Sequence, residues 1–140
     1  MNGQPRYPRS AQRLVREAFK ASVPRRLNGE NWAGGVGAAI LGADGTIYRG
    51  TCIEVSSGQG SCAERSAATA MVSAGCTQVE LLVAVSYDGA VLAPCGQCRE
   101  FVLELDRANG DALVVVSRGH VARLGDLLPH SFEGPAAAAS

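Results

Sequence analysis

Apolar positions recur at helical spacing through residues 10–22, SAQRLVREAFKAS, placing Leu14, Val15, Ala18 and Phe19 on one face. With Ser10 able to cap its start and Pro24 just beyond its end, this segment predicts an opening amphipathic helix. The period then changes. VGAAIL (36–41) and TIYRGTCIEV (46–55) are rich in apolar and β-branched residues and flank GADG, an Asp-Gly turn signal, so together they predict a β-hairpin. CAERSAATAMVSAG (62–75) predicts a second helix, with good helix formers inside and Gly75 at a C-terminal cap position. VELLVAVSY (79–87) is mostly apolar, as expected of a strand covered on both faces. Pro94 is placed to open a third helix, ended by Gly110, with Phe101, Val102 and Leu105 turned inward. ALVVVS (112–117) predicts another buried strand, and VARLGDLLP (121–129) a last short helix or turn.

The order helix, hairpin, helix, strand, helix, strand implies βαβ crossovers and an α/β sandwich around a mixed sheet. No internal repeat or linker interrupts it. We therefore expect one domain over residues 1–140, with 1–9 and 135–140 as flexible tails. The thirteen basic and thirteen acidic residues cancel, which argues against a polyanionic partner such as nucleic acid, and an aromatic share of 5% leaves little to stack on bases. No run approaches the roughly 20 apolar residues of a membrane span, and the N-terminus lacks the apolar stretch of a signal peptide. A cytoplasmic protein with no membrane partner is expected. Five cysteines then fit thiols or metal ligands better than a disulfide framework. Taken alone, Cys52 and Cys76 read as small buried hydrophobes.

Cys62 stands at the start of the second predicted helix, and Cys95 with Cys98 at the start of the third. In an open α/β sheet, helices that follow strands begin around one crevice, so the three sulfurs can converge. Helix N-termini favour thiolates, the form that zinc binds. Three protein ligands on tetrahedral zinc leave one position for water, the mark of a catalytic site. Glu64, two residues after Cys62, is a candidate to take and return a proton without binding the metal. Arg65 can offset the negative charge of three thiolates on a divalent ion, or can be a solvated surface arginine. Two other readings stay open. Cys52 or Cys76 as a fourth ligand would make a structural zinc-binding module, and Cys95 with Cys98 alone would suit a dithiol redox protein. His120 and His130 read as surface or loop histidines.

CAER followed about thirty residues later by PCGQCR resembles the zinc signature of the cytidine deaminase family in its small three-cysteine form. VGAAIL, GTIYRG and LGDLLPHSFEGP resemble the same enzymes, so the likeness covers nearly the whole chain. The resemblance implies a three-layer α/β/α fold with a mixed five-stranded sheet, and a homotetramer. It implies one Zn2+ per chain on Cys62, Cys95 and Cys98, and Glu64 as the proton shuttle that serves ring atom N3 while water adds at C4. The reaction would be hydrolytic deamination of cytidine or deoxycytidine to uridine or deoxyuridine plus ammonia. By the same resemblance the backbone N–H of Ala63 meets the pyrimidine O2, and Arg65 hydrogen-bonds the cysteine sulfurs. Phe132 packs against a base bound in a neighbouring subunit, although alone it also fits a C-terminal core anchor. Glu54 stands for the acid of an Asn-x-Glu pair that holds the ribose, Cys52 occupies the asparagine position, and Gly34 falls where a phenylalanine is usual. A thiol cannot reproduce an amide's paired donor and acceptor. The similar blasticidin S deaminases share the three-cysteine core, which makes a modified cytosine nucleoside the alternative substrate.

Overall fold

The computed structural model describes residue 3 and residues 5–134. Strand β2 (Trp32–Gly42) is the spine of the sheet, pairing antiparallel with β3 (Ile47–Glu54) on one edge and with β4 (Val79–Ser86) on the other. Beyond β4, strand β6 (Leu113–Ser117) runs parallel to it, and β7 (His120–Arg123) returns antiparallel to β6. Four of these five strands stand where the sequence predicted strands, and five is the number that the family resemblance implied. Two further two-residue strands, β1 (Arg25–Arg26) on β2 and β5 (Val91–Leu92) on β4, make the sheet seven-stranded. So short a strand has no alternating pattern to read in the sequence.

Helix α1 (Ser10–Ala21) covers one face of the sheet, while α2 (Ala63–Ser73) and α3 (Gly96–Leu105) cover the other. The period-two alternation of the strands sorts side chains between the two layers. Ala39, Leu81, Val83, Val85 and Val115 meet Ala11, Leu14 and Ala18 of α1. Ala38, Ile40, Leu82, Ala84 and Val114 meet Ala67, Met71, Val102 and Leu103 of the opposite helices. The architecture is the expected three-layer sandwich. Within the segment expected as a tail, Tyr7 packs against the α1-side core, and residues 135–140 lie outside the described residues.

Two elements differ from expectation. The third helix ends at Leu105 rather than running to Gly110, because Asp106 turns extended and its carboxylate accepts the Ala108 N–H at 3.0 Å, starting a separate 3-10 turn over Arg107–Asp111. The segment expected as a last helix begins as strand β7, and only Leu124–Leu127 forms helix α4. Gly119, at φ +77°, lets the chain reverse after β6 so that Val121 joins the sheet.

Gly34 sits where β2 changes partner, β1 pairing with Trp32 and Ala33 and β4 with Val36 onward. It has φ +97°, and a Cβ there would lie 2.3 Å from the Val23 carbonyl oxygen. A phenylalanine cannot occupy this backbone.

Candidate active site

Cys62 and Cys95 each stand at the residue preceding a helix, with extended backbone, and so mark the heads of α2 and α3. Both helices follow strands on the same face of the sheet, which brings their N-termini together. Cys98 lies on the first turn of α3 and is buried. The three Sγ atoms lie within 4.8 Å of one another, with Cys95 and Cys98 separated by 3.6 Å. A tetrahedral ion about 2.3 Å from each sulfur sets sulfurs about 3.8 Å apart, so the trio fits one zinc. Neither Cys52 nor Cys76 belongs to the cluster, which leaves three sulfurs rather than four. Cys76 instead sits past the far end of α2, its Sγ 3.5 Å from the Gln78 carbonyl oxygen.

Glu64 is buried on the first turn of α2, and the Cys98 thiol donates to its Oε2 at 3.7 Å. This is the acid beside the metal trio. Burial pushes the Cys62 thiol up, partly opposed by its bond to Cys98. Burial also pushes Cys98 far up, reinforced by the Glu64 charge. At Cys95 burial acts in the same direction, but the backbone N–H of Cys98, the Cys98 thiol and the backbone N–H of Gln97 outweigh it, and the net shift is downward. The N–H groups at the head of α3 thus ease ionisation at Cys95.

A cleft of 200 Å³ opens beside Cys62, lined by Cys52, Ile53, Gly60, Ser61, Arg65 and Gln97 among others. Ala63 is the first residue of α2 and is buried; its N–H precedes the helical hydrogen-bond ladder and faces the same helix head. Glu54 is exposed at the end of β3. The Arg65 guanidinium lies over the Phe101 ring, 4.8 Å from its centroid, joining the first turn of α2 to the middle of α3. Phe132 is 86% exposed, which excludes a role as a core anchor, and its N–H donates to Glu100 Oε1 at 2.7 Å. His120 and His130 are exposed, and neither joins the metal cluster.

Sequence reasoning missed Arg99. Its Nε donates to the Pro94 carbonyl at 2.8 Å and its Nη1 to the Leu127 carbonyl at 3.0 Å, fastening the loop that presents Cys95. It also missed Asn31, whose Oδ1 accepts the Ser56 N–H at 2.8 Å and holds the loop after β3. Each has a backbone partner at least 25 residues away, Leu127 for Arg99 and Ser56 for Asn31, for which no local pattern exists.

Residues 8–114 match the family model described as the cytidine and deoxycytidylate deaminase zinc-binding region. The chain belongs to that family. It is 41% identical over 98 residues to a cytidine deaminase of Mycobacterium tuberculosis, covering 69% of this chain and 71% of the relative. A cytidine deaminase of Halalkalibacterium halodurans is 32% identical over 124 residues, covering 86% and 92%. The crystal structure of the cytidine deaminase from Mycobacterium tuberculosis superposes with a TM-score of 0.75 at 32% identity, covering 89% of this chain and 98% of that one. The deaminase fold, a zinc cofactor and the standing of this chain as a zinc-dependent aminohydrolase follow from family membership together with the three-sulfur cluster. A dithiol redox protein would leave Cys62 and Glu64 unexplained.

Proposed function

We propose that Cys62, Cys95 and Cys98 hold one zinc ion per chain and that Glu64 moves the proton in hydrolytic deamination of a cytosine nucleoside, cytidine or deoxycytidine, to its uracil counterpart and ammonia. The observation that carries this reading is the buried Glu64 carboxylate 3.7 Å from the sulfur of Cys98 in a three-sulfur cluster. Zinc held there would supply Lewis acidity that lowers the pKa of water to about 7. Glu64 accepts the proton released by that water and delivers it to ring N3, then assists departure of the amino group as ammonia. Its burial excludes bulk solvent, and its place on the first turn of α2 sets its position relative to the sulfurs. The Ala63 N–H, left over at the same helix head, is the donor for the pyrimidine O2. Arg65, lining the cleft and stacked on Phe101, supplies positive charge near the thiolates.

Glu54 and Cys52 close the sugar side. Cys52 is the feature that favours a second reading, a modified cytosine nucleoside such as blasticidin S, because its thiol lines the cleft where an amide would grip a ribose hydroxyl. Ammonia release from cytidine, deoxycytidine and blasticidin S separates the two. Turnover of cytidine and deoxycytidine is expected; turnover confined to the antibiotic would replace the first reading with the second, and none from all three would remove both.

Phe132, exposed on a C-terminal segment that Glu100 and Arg107 hold to the domain, favours a homotetramer in which this ring reaches a neighbouring active site. Five free thiols agree with work in the cytoplasm. Among the described residues no helix is long and apolar enough to cross a membrane. A small nucleoside, rather than nucleic acid or a lipid surface, is the partner that a 200 Å³ cleft suits.

A further inference from the structure

The deamination gives Cys52 no task that a sulfur performs well, yet the backbone aims it at a cysteine of the metal site. Between β3 and the segment entering α2, Ile53 and Ser61 form an antiparallel pair, exchanging two N–H···O bonds of 2.9 Å. One step along that register, Cys52 stands opposite Cys62. The position beside a hydrogen-bonded pair is a non-hydrogen-bonded one, where facing Cα atoms lie about 4.5 Å apart and both side chains project to the same face. That spacing falls within the Cα separation of about 4.4–6.8 Å that a disulfide spans. Cys62 keeps extended backbone, φ −65° and ψ 150°, so the strand-like geometry persists to the sulfur in question.

Both thiols are half-buried and line the same 200 Å³ cleft, whereas Cys95 and Cys98 do not line it. Burial, then the charges of Glu54, Cys62 and Glu64, push the Cys52 thiol up, which reflects the same proximity. A small oxidant entering from solvent along that cleft therefore meets Cys52 and Cys62 together.

We infer that Cys52 and Cys62 are an oxidation site, at which a peroxide converts the pair to a cross-strand disulfide and so withdraws Cys62 from the metal. This rests on the reading of Cys62 as a zinc ligand. The Cys62 thiolate attacks one peroxide oxygen, the O–O bond breaks, and the other oxygen leaves as water after taking a proton from solvent. The Cys52 sulfur then attacks the resulting Cys62 sulfenic acid, the S–O bond breaks, and the hydroxyl departs as a second water carrying the Cys52 proton. The two sulfurs together give up two electrons, one peroxide becomes two waters, and a zinc site left with two sulfurs releases its ion.

The test uses the zinc-loaded enzyme and hydrogen peroxide, with zinc release followed by a chromophoric chelator and the thiols mapped by peptide mass spectrometry. The expected result is a Cys52–Cys62 cross-linked peptide appearing in step with zinc release, reversed by dithiothreitol plus zinc. Cys52→Ser and Cys52→Ala, each normalised to its own reduced zinc-loaded state, should release zinc at least about tenfold more slowly or irreversibly. A Cys95–Cys98 peptide with Cys52 still a free thiol would overturn the inference, as would equal, reversible release from wild type and both variants. A reduced protein that binds no zinc would count against the metal-site reading alone, and the peptide map of that same protein would still decide the disulfide.

Discussion

Glycine at position 50 is what allows helix α2 to lie close against β3: a Cβ there would come within 2.2 Å of both the Ala63 oxygen and the Ala67 nitrogen. These are backbone atoms of the helix that carries Glu64 and follows directly from Cys62, so a methyl group must displace the helix and the site with it. Gly50→Ala should cost about 2 kcal/mol by overpacking and lower kcat/KM through the displaced acid. Thermal unfolding and ammonia release measured side by side check this, and an unchanged variant would show that α2 has slack the close approach denies. Among single residues, the meeting of Cys62, Cys95 and Cys98 with Glu64 beside them was legible because short motifs at two helix heads place them together. Gly34, Gly50 and Arg99 were not legible, since each answers to a backbone atom from another part of the chain, Leu127 in the case of Arg99.

At the scale of elements, Asn109 shows why the end of α3 was misread. Its buried side chain accepts the Val79 N–H at 2.8 Å and donates to the Thr77 and Val102 carbonyls at 2.9 Å each, tying the start of β4 to the end of α3. The sequence around it, DRANGD, reads as a helix end with a glycine stop, and the 3-10 turn that aims the amide inward depends on these distant partners. Asn109→Ala removes the partner of the buried Val79 N–H and Val102 carbonyl and the half-buried bond to the Thr77 carbonyl, and should destabilise the fold by about 3 kcal/mol, lowering Tm by about 10 °C. Loss of less than a third of that in a calorimetric scan would mean the loop re-pairs its backbone without the amide. Strands β2, β3, β4 and β6 were legible from their apolar and β-branched runs, whereas β7 was hidden by four residues of mixed polarity, of which only Val121 is buried.

Across the whole molecule, one sheet divides the apolar residues into two cores and leaves the heads of α2 and α3 open on one side. Three sulfurs, a buried acid and a cleft meet there. The layer order was readable from the alternation of helices and strands, because right-handed crossovers leave few other arrangements. Assembly was not readable from composition. The exposed Phe132 ring is the surface feature that a neighbouring copy would cover, and light scattering should give four chains per particle, dissociating in Phe132→Ala if the ring is central to the contact. A wild-type monomer with full activity would contradict the homotetramer. The central claim, three cysteines on zinc with Glu64 alone moving the proton, is tested most directly by measuring zinc content and ammonia release together in Glu64→Ala. The account predicts about one zinc per chain with turnover reduced by about a thousandfold or more. Turnover within tenfold of wild type on a zinc-replete variant would contradict it.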